Sequence, residues 1–249
     1  MITNSSSGTN VHEVATGIYR INTSVEFPGG AGAFNFNQYL IDDDEPLLFH
    51  TGPRRMFPLV SEAIGKIVPL ENLRYLAFSH FEADECGSLN EFLAVAPKAV
   101  PVCSRVAAMV SVDDVADRPA LPLADGEILK LGRHELRWFD TPHLPHAWEC
   151  GLMMELHTRT LLCGDLFTQG GTGETPLTES DILGPSEAFR QPMDYFAHAP
   201  QTATMLDRLA RETPTTLACM HGSAWRGDGA KLLRELASSL TLGSVRAAS

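Results

Sequence analysis

Residues 79–87, Ser-His-Phe-Glu-Ala-Asp-Glu-Cys-Gly, hold the densest set of reactive side chains in this chain. His80, Glu82 and Asp84 alternate with Phe81 and Ala83, directly after the apolar run 73–78. Side chains two apart share one face of a continuing strand, and a tight loop at its end can converge them too. An imidazole flanked by two carboxylates is expensive to bury, because each charge needs its own partner. A bound cation removes that cost. Alone, an H-x-E-x-D match is more often a solvated turn than a metal site. Its setting changes the weight. Downstream stand Pro142-His143-Leu144-Pro145-His146, Leu162-Cys163-Gly164-Asp165 and Met220-His221-Gly222, each beside a strand-like apolar run. Ligands delivered repeatedly from strand ends are how a sheet scaffold builds a binuclear site.

The elements that must position these residues follow from periodicity and turn chemistry. Residues 1–10 read as a flexible tail and 11–25 as an edge strand. The glycine-rich stretch 27–32 lacks phosphate-binding spacing and reads as a turn. Residues 34–41 and 46–49 form a hairpin around the acidic, solvated turn 42–45. An amphipathic helix is expected over 57–68 and another over 87–95, so the His80 motif sits at a strand–helix junction. A short strand at 100–102 and a helical piece at 107–110 come next. Two hairpins follow, 128–131 with 135–139 and 152–156 with 160–163. A long glycine- and threonine-rich connection, 169–185, precedes helices at 186–198 and 200–212, a strand at 215–220 and a helix at 228–240. With no repeat and no dividing linker, 11–249 reads as a single domain.

Composition narrows the class. Hydrophobic residues are 44% of the 249, enough for a substantial core. Nineteen basic against 31 acidic residues give −12, which argues against nucleic acid or an anionic membrane surface as partner. Five cysteines without a C-x-x-C suit a reducing compartment. The first residues lack signal-peptide character, and no apolar run reaches membrane-spanning length. A cytoplasmic protein is expected.

Together the motifs resemble the metallo-β-lactamase superfamily and, within it, the diiron domain of the flavodiiron proteins. Hydrolytic members carry histidine at the place of Glu82, whereas H-x-E-x-D is the flavodiiron signature. The ending His221-Gly222-Ser223-Ala224-Trp225-Arg226 is similar to the flavodiiron H-G-x-x-W-R closure, and 37–41 with 49–52 look like the first strands of that fold. The resemblance spans about 11–235. It implies an α+β fold, a four-layer αββα sandwich. It also implies one iron held by His80, Glu82 and His146, a second held by Asp84 and His221, and Asp165 bridging both. Imidazole and carboxylate are the ligands of non-haem iron, whereas a zinc hydrolase of this fold prefers more histidine.

Three positions depart from the pattern or leave a choice. Glu85 stands where the flavodiiron pattern has histidine; it either ligates the second iron or points away, and pointing away is the expectation here. Of two histidines three apart, His146 is the expected ligand by its spacing to Cys150, which leaves His143 as a pocket residue. His50 replaces a common aspartate and is expected to hydrogen-bond at a strand end. Cys86 is expected to pack under the site. His12, His134, His157 and His198 read as surface or loop residues. Full flavodiiron proteins continue into a flavodoxin domain, so no flavin is expected in this chain. The resemblance therefore implies an O2- or NO-binding sensor or scavenger, served by a separate electron donor or signalling protein and acting as a homodimer. A zinc-dependent hydrolase is the alternative.

Overall fold

The computed structural model describes residues 1–247, with side chains as far as Thr241. Two mixed sheets lie between helices, the expected four-layer α+β sandwich. The first sheet has eight strands in chain order: Ile2–Asn4, Thr9–Ala15, Ile18–Glu26, Ala33–Ile41, Leu47–Phe49, Tyr75–Ala77, Val100–Ser104 and Leu121–Leu123. Pairing is antiparallel as far as Leu47–Phe49 and parallel beyond it. The second sheet runs in the order Leu177–Thr178, Ala224–Arg226, Thr216–Ala218, Thr160–Leu162, Gly151–Glu155, Glu135–Asp140, Ile128–Lys130. Within it, Thr160–Leu162 and Thr216–Ala218 pair in parallel.

Period-two alternation produces the layers, because successive side chains leave a strand on opposite faces. Leu40, Leu48 and Leu76 pack towards helices Phe57–Ile64 and Leu89–Val95. Their neighbours Tyr39, Ile41, Phe49 and Ala77 face the other sheet, where they meet Trp138, Met153 and Leu162. On the far side Leu161 and Leu217 pack under helices Thr202–Arg211 and Gly229–Ala247, through Leu206, Leu209 and Leu233. Each fully buried leucine or phenylalanine contributes about 1.5–3 kcal/mol. The sandwich therefore holds its strand ends firmly. Among the described residues no helix is long and apolar enough to cross a membrane.

Several expected boundaries move. The tail expected over 1–10 is instead structured: Ile2–Asn4 pairs with Thr9–Ala15, and the Met1 amino group donates to the Val11 carbonyl (2.8 Å). The edge strand expected over 11–25 is a hairpin turning at 16–17. In the acidic turn, Asp43 is buried and accepts from the backbone N–H groups of His134 and Asp44. His134 is likewise buried beside Glu155, not at the surface. The helix expected over 186–198 spans Leu183–Met193 and stops at Asp194, whose left-handed backbone (φ 44°) cannot continue it.

Candidate metal centre

Three strands deliver side chains to one place by the same local device. His80 lies three residues past Ala77, Asp165 three past Leu162 and His221 three past Ala218, each on the loop that leaves the carboxyl end of its strand. Crevices outside the carboxyl ends of strands are where α/β sheets place their ligands. His146 arrives from the loop joining Glu135–Asp140 to Gly151–Glu155. The motif itself changes conformation midway. Glu82 is extended (φ −129°, ψ 165°), and a single helical turn, Ala83–Cys86, follows it. Successive residues on a helix point about 100° apart, so this turn aims Asp84 and Glu85 differently from a strand.

The result is two clusters sharing a carboxylate. On one side His80 Nε2 lies 2.9 Å from His146 Nε2, and Asp165 Oδ2 lies 3.7 and 3.5 Å from these two nitrogens. Glu82 Oε1 completes this side at 3.3 Å from His146 Nε2. On the other, His221 Nε2 lies 3.5 Å from Asp84 Oδ2 and 3.3 Å from Asp165 Oδ1. Ligand atoms of His80, His146 and Asp165, those of His80, Glu82 and Glu85, and those of Asp84, Glu85 and His221 each fall within 4.8 Å of one another, so Glu85 borders both sides. Glu85 does not point away. Its side chain is 0% exposed, one carboxylate oxygen lies 3.8 Å from His80 Nε2, and neither oxygen has a hydrogen-bond partner. The helical turn Ala83–Cys86 rotates Glu85 inward, against the expectation that it points away.

Hydrogen bonds fix which ring nitrogens face the clusters. His146 Nδ1 meets the Tyr195 carbonyl (2.9 Å) and His221 Nδ1 the Asn35 carbonyl (2.7 Å). A carbonyl only accepts, so both Nδ1 atoms carry protons and both rings turn Nε2 inward. His50 Nε2 lies 3.0 Å from Ser79 Oγ, which is 2.9 Å from His80 Nδ1. The Ser79 backbone N–H also points at His50 Nε2, so that nitrogen accepts, the hydroxyl donates to it, and His80 Nδ1–H donates to the hydroxyl. His50 thus orients a ligand-type ring through Ser79, a residue that sequence reasoning passed over. Burial holds the His50 ring at about 3, against the opposing charge of Asp165, so it is neutral. His143 is exposed in a left-handed conformation (φ 65°) and stays out of the cluster. Cys86 is buried, as expected, and donates to the Glu82 carbonyl.

Electrostatics identify what the arrangement accepts. Burial opposes charge on His80, yet Glu85, Glu82 and Asp165 hold it well above the ordinary imidazole range. His221 is raised to about 9, with burial outweighed by Asp165 and Asp84. Hydrogen bonds from His146 and His80 pull Glu82 down to about 2. Burial pushes Glu85 far up, with Asp165 adding to the effect. Lone pairs, four carboxylates and orphaned oxygens of Glu85 and Asp165 facing one interior call for positive charge. Two divalent ions would balance four carboxylates. Phe34 stacks on the His221 ring at 4.3 Å, and Phe36 meets its edge. The half-exposed Glu82 borders a cavity of about 420 Å³ lined by Phe81, Cys86, Leu89 and Val115.

The model of the ODP family beta lactamase matches residues 34–222, a span that contains every one of these side chains. The chain belongs to that family. Among curated relatives, this ODP-family chain is 25% identical over 214 residues to the anaerobic nitric oxide reductase flavorubredoxin of Pectobacterium carotovorum, covering 80% of the chain and 41% of that protein. It is 26% identical over 146 residues to diflavin flavoprotein A 1 of Synechocystis, covering 57% of the chain and 25% of the relative. The chain thus spans less than half the length of these relatives. Among solved structures, the rubredoxin oxygen:oxidoreductase of Desulfovibrio gigas superposes with a TM-score of 0.77 at 21% identity, covering 92% of this chain and 62% of that one. That likeness establishes the shared fold.

Proposed function

We propose that this chain holds a non-haem diiron centre and uses it to bind dioxygen or nitric oxide, reducing the gas where an electron donor is supplied. The observation that carries the reading is Asp165, whose two oxygens each face a separate histidine-and-carboxylate cluster. His80, Glu82 and His146 would hold one ion, and Asp84, Glu85 and His221 the other. Carboxylate-rich nitrogen and oxygen sets suit iron better than thiolate-seeking or histidine-seeking metals. Iron would supply the electrons that the gas receives.

The chain's own residues do the rest. Tyr195 and Asn35 carbonyls keep the His146 and His221 lone pairs directed inward, and the His50–Ser79 pair does so for His80. Phe34 and Phe36 shield the His221 side from water. The flank at Glu82 is the open one, and its partly apolar cavity suits entry of a small uncharged gas. The relatives support the choice of gas: one is an anaerobic nitric oxide reductase flavorubredoxin, and a structural neighbour is a rubredoxin oxygen:oxidoreductase. A separate donor of that kind, or a signalling protein that reads gas binding, is the partner this reading implies, with the chain acting in the cytoplasm as a homodimer. Stopped-flow mixing of the anaerobic ferrous protein with O2 or NO, then a steady-state assay with a rubredoxin-type donor, tests it. A fast optical change with sustained gas consumption means a reductase, and the change without turnover means a sensor. No reaction with either gas would end both.

A further inference from the structure

Arg20 lies on strand Ile18–Glu26, 0% exposed, and its contacts include no carboxylate. Its Nη2 donates to the carbonyls of Gly173 (2.8 Å) and Gly222 (2.9 Å) and to Asn22 Oδ1 (3.3 Å), whereas Nε and Nη1 reach no acceptor. Burying a cation is costly unless an anion offsets it. A neutral donor could make the same bonds without that cost, so the charge itself needs a counterpart.

The neighbours of Arg20 lead to the candidate metal centre. Asn22 Oδ1 also accepts from Asn35 Nδ2 (2.7 Å), the Asn35 carbonyl accepts from His221 Nδ1, and Asn35 Oδ1 accepts from the Gly222 N–H (2.7 Å). Asn37 Nδ2 donates to the carbonyls of Cys219 and Gly222, both at 2.9 Å. The turn at Gly173 closes over the guanidinium: its φ is +62°, and a Cβ there would sit 2.6 Å from Nη2. The cation is therefore sealed one residue away from a ligand-type histidine. Beyond that histidine stands the carboxylate cluster of Asp84, Glu85 and Asp165.

We propose that Arg20 is a positioning residue of the metal centre, pinning the His221–Gly222 turn and lending it a fixed positive charge that favours the reduced state. This rests on the diiron reading above. A fixed positive charge raises the potential of a nearby redox centre, because it stabilises each added electron.

Two variants separate charge from hydrogen bonding in the anaerobically iron-loaded protein, and a third cancels the charge in place. R20Q keeps donors for the Gly222 and Gly173 carbonyls without charge, R20K keeps the charge without the fork, and N22D sets an anion against the intact guanidinium. Iron per chain and the midpoint potential are measured for each. R20Q and N22D are expected to hold iron at the wild-type level with a lower potential, by about a tenfold shift in the reduction equilibrium, or about 59 mV for one electron. R20K is expected to stay near wild type. Wild-type potentials in loaded R20Q and N22D, or a fall in R20K as large as in R20Q, would overturn the role of Arg20 alone. Should R20Q not fold, N22D against R20K decides. Failure of the wild type itself to bind two irons would instead remove the diiron reading, and this proposal with it.

Discussion

Glu85 carries opposite effects in the metal-free and metal-loaded protein. Without a cation its buried side chain makes no hydrogen bond and faces His80 at 3.8 Å, and replacing buried ionic groups by apolar side chains of similar size is often neutral or stabilising. With a cation it would be a ligand of the proposed centre. Glu85→Met is accordingly expected to raise the stability of the metal-free protein by about 1–2 kcal/mol and to weaken the second ion at least tenfold, read by denaturant melts and by metal titration on one preparation. A variant weakened in both states would show that Glu85 packs and does not ligate. The two histidines of the 142–146 loop separate just as sharply. His146→Ala should lose the ion next to His80, whereas His143→Ala should keep full metal content, because only His146 turns inward. The choice of His146 was open to sequence through its spacing to Cys150. Ser79 was not, since its part lies in hydrogen bonds to two histidines from different strands.

Elements that end on the centre should transmit strain to it. Gly222 has φ +89°, and a Cβ there would lie 2.5 Å from Gln169, so Gly222→Ala is expected to cost about 1–3 kcal/mol and to lower metal occupancy at His221. Away from the centre, Glu155 at the end of strand Gly151–Glu155 accepts from Thr158 and lies 3.3 Å from His134 Nδ1. Burial opposes its charge, but the bonds from His134 and Thr158 prevail and hold it at about 2. A depressed carboxylate pKa gives stability that is present above the ordinary value near 4.5 and is lost as pH falls towards 2. Glu155→Gln should therefore cost on the order of 2 kcal/mol at pH 7, with the gap from wild type closing between pH 4.5 and 2 in thermal melts. A gap independent of pH would mean that shape and not charge matters there. Hairpins such as 33–41 with 47–49 were legible because strong alternation flanks an acidic turn. Ile2–Asn4, Leu121–Leu123, Leu177–Thr178 and Ala224–Arg226 were not, because two or three residues carry no period, and only pairing with a neighbouring strand defines them.

At the scale of the molecule, two sheets meet so that parallel strands from each end at one crevice, and hydrogen bonds from Asn37 and Tyr39 cross to the Cys219 carbonyl. The sequence showed 34–41 only as a hairpin strand, and the assembled sandwich shows that its Asn37 and Tyr39 read the backbone beside His221. The inward turn of Glu85 and the lone position of Arg20 were hidden for the same reason, since both depend on which groups the fold leaves without partners. The proposed diiron centre places one ion on either side of Asp165. Elemental analysis of protein produced with iron and zinc both supplied, for wild type and Asp165→Ala, tests this most directly. The expected result is two irons per chain in the wild type and loss of both in the variant, because one carboxylate serves both positions. Predominant zinc in the wild type, or full iron retained without Asp165, would contradict it.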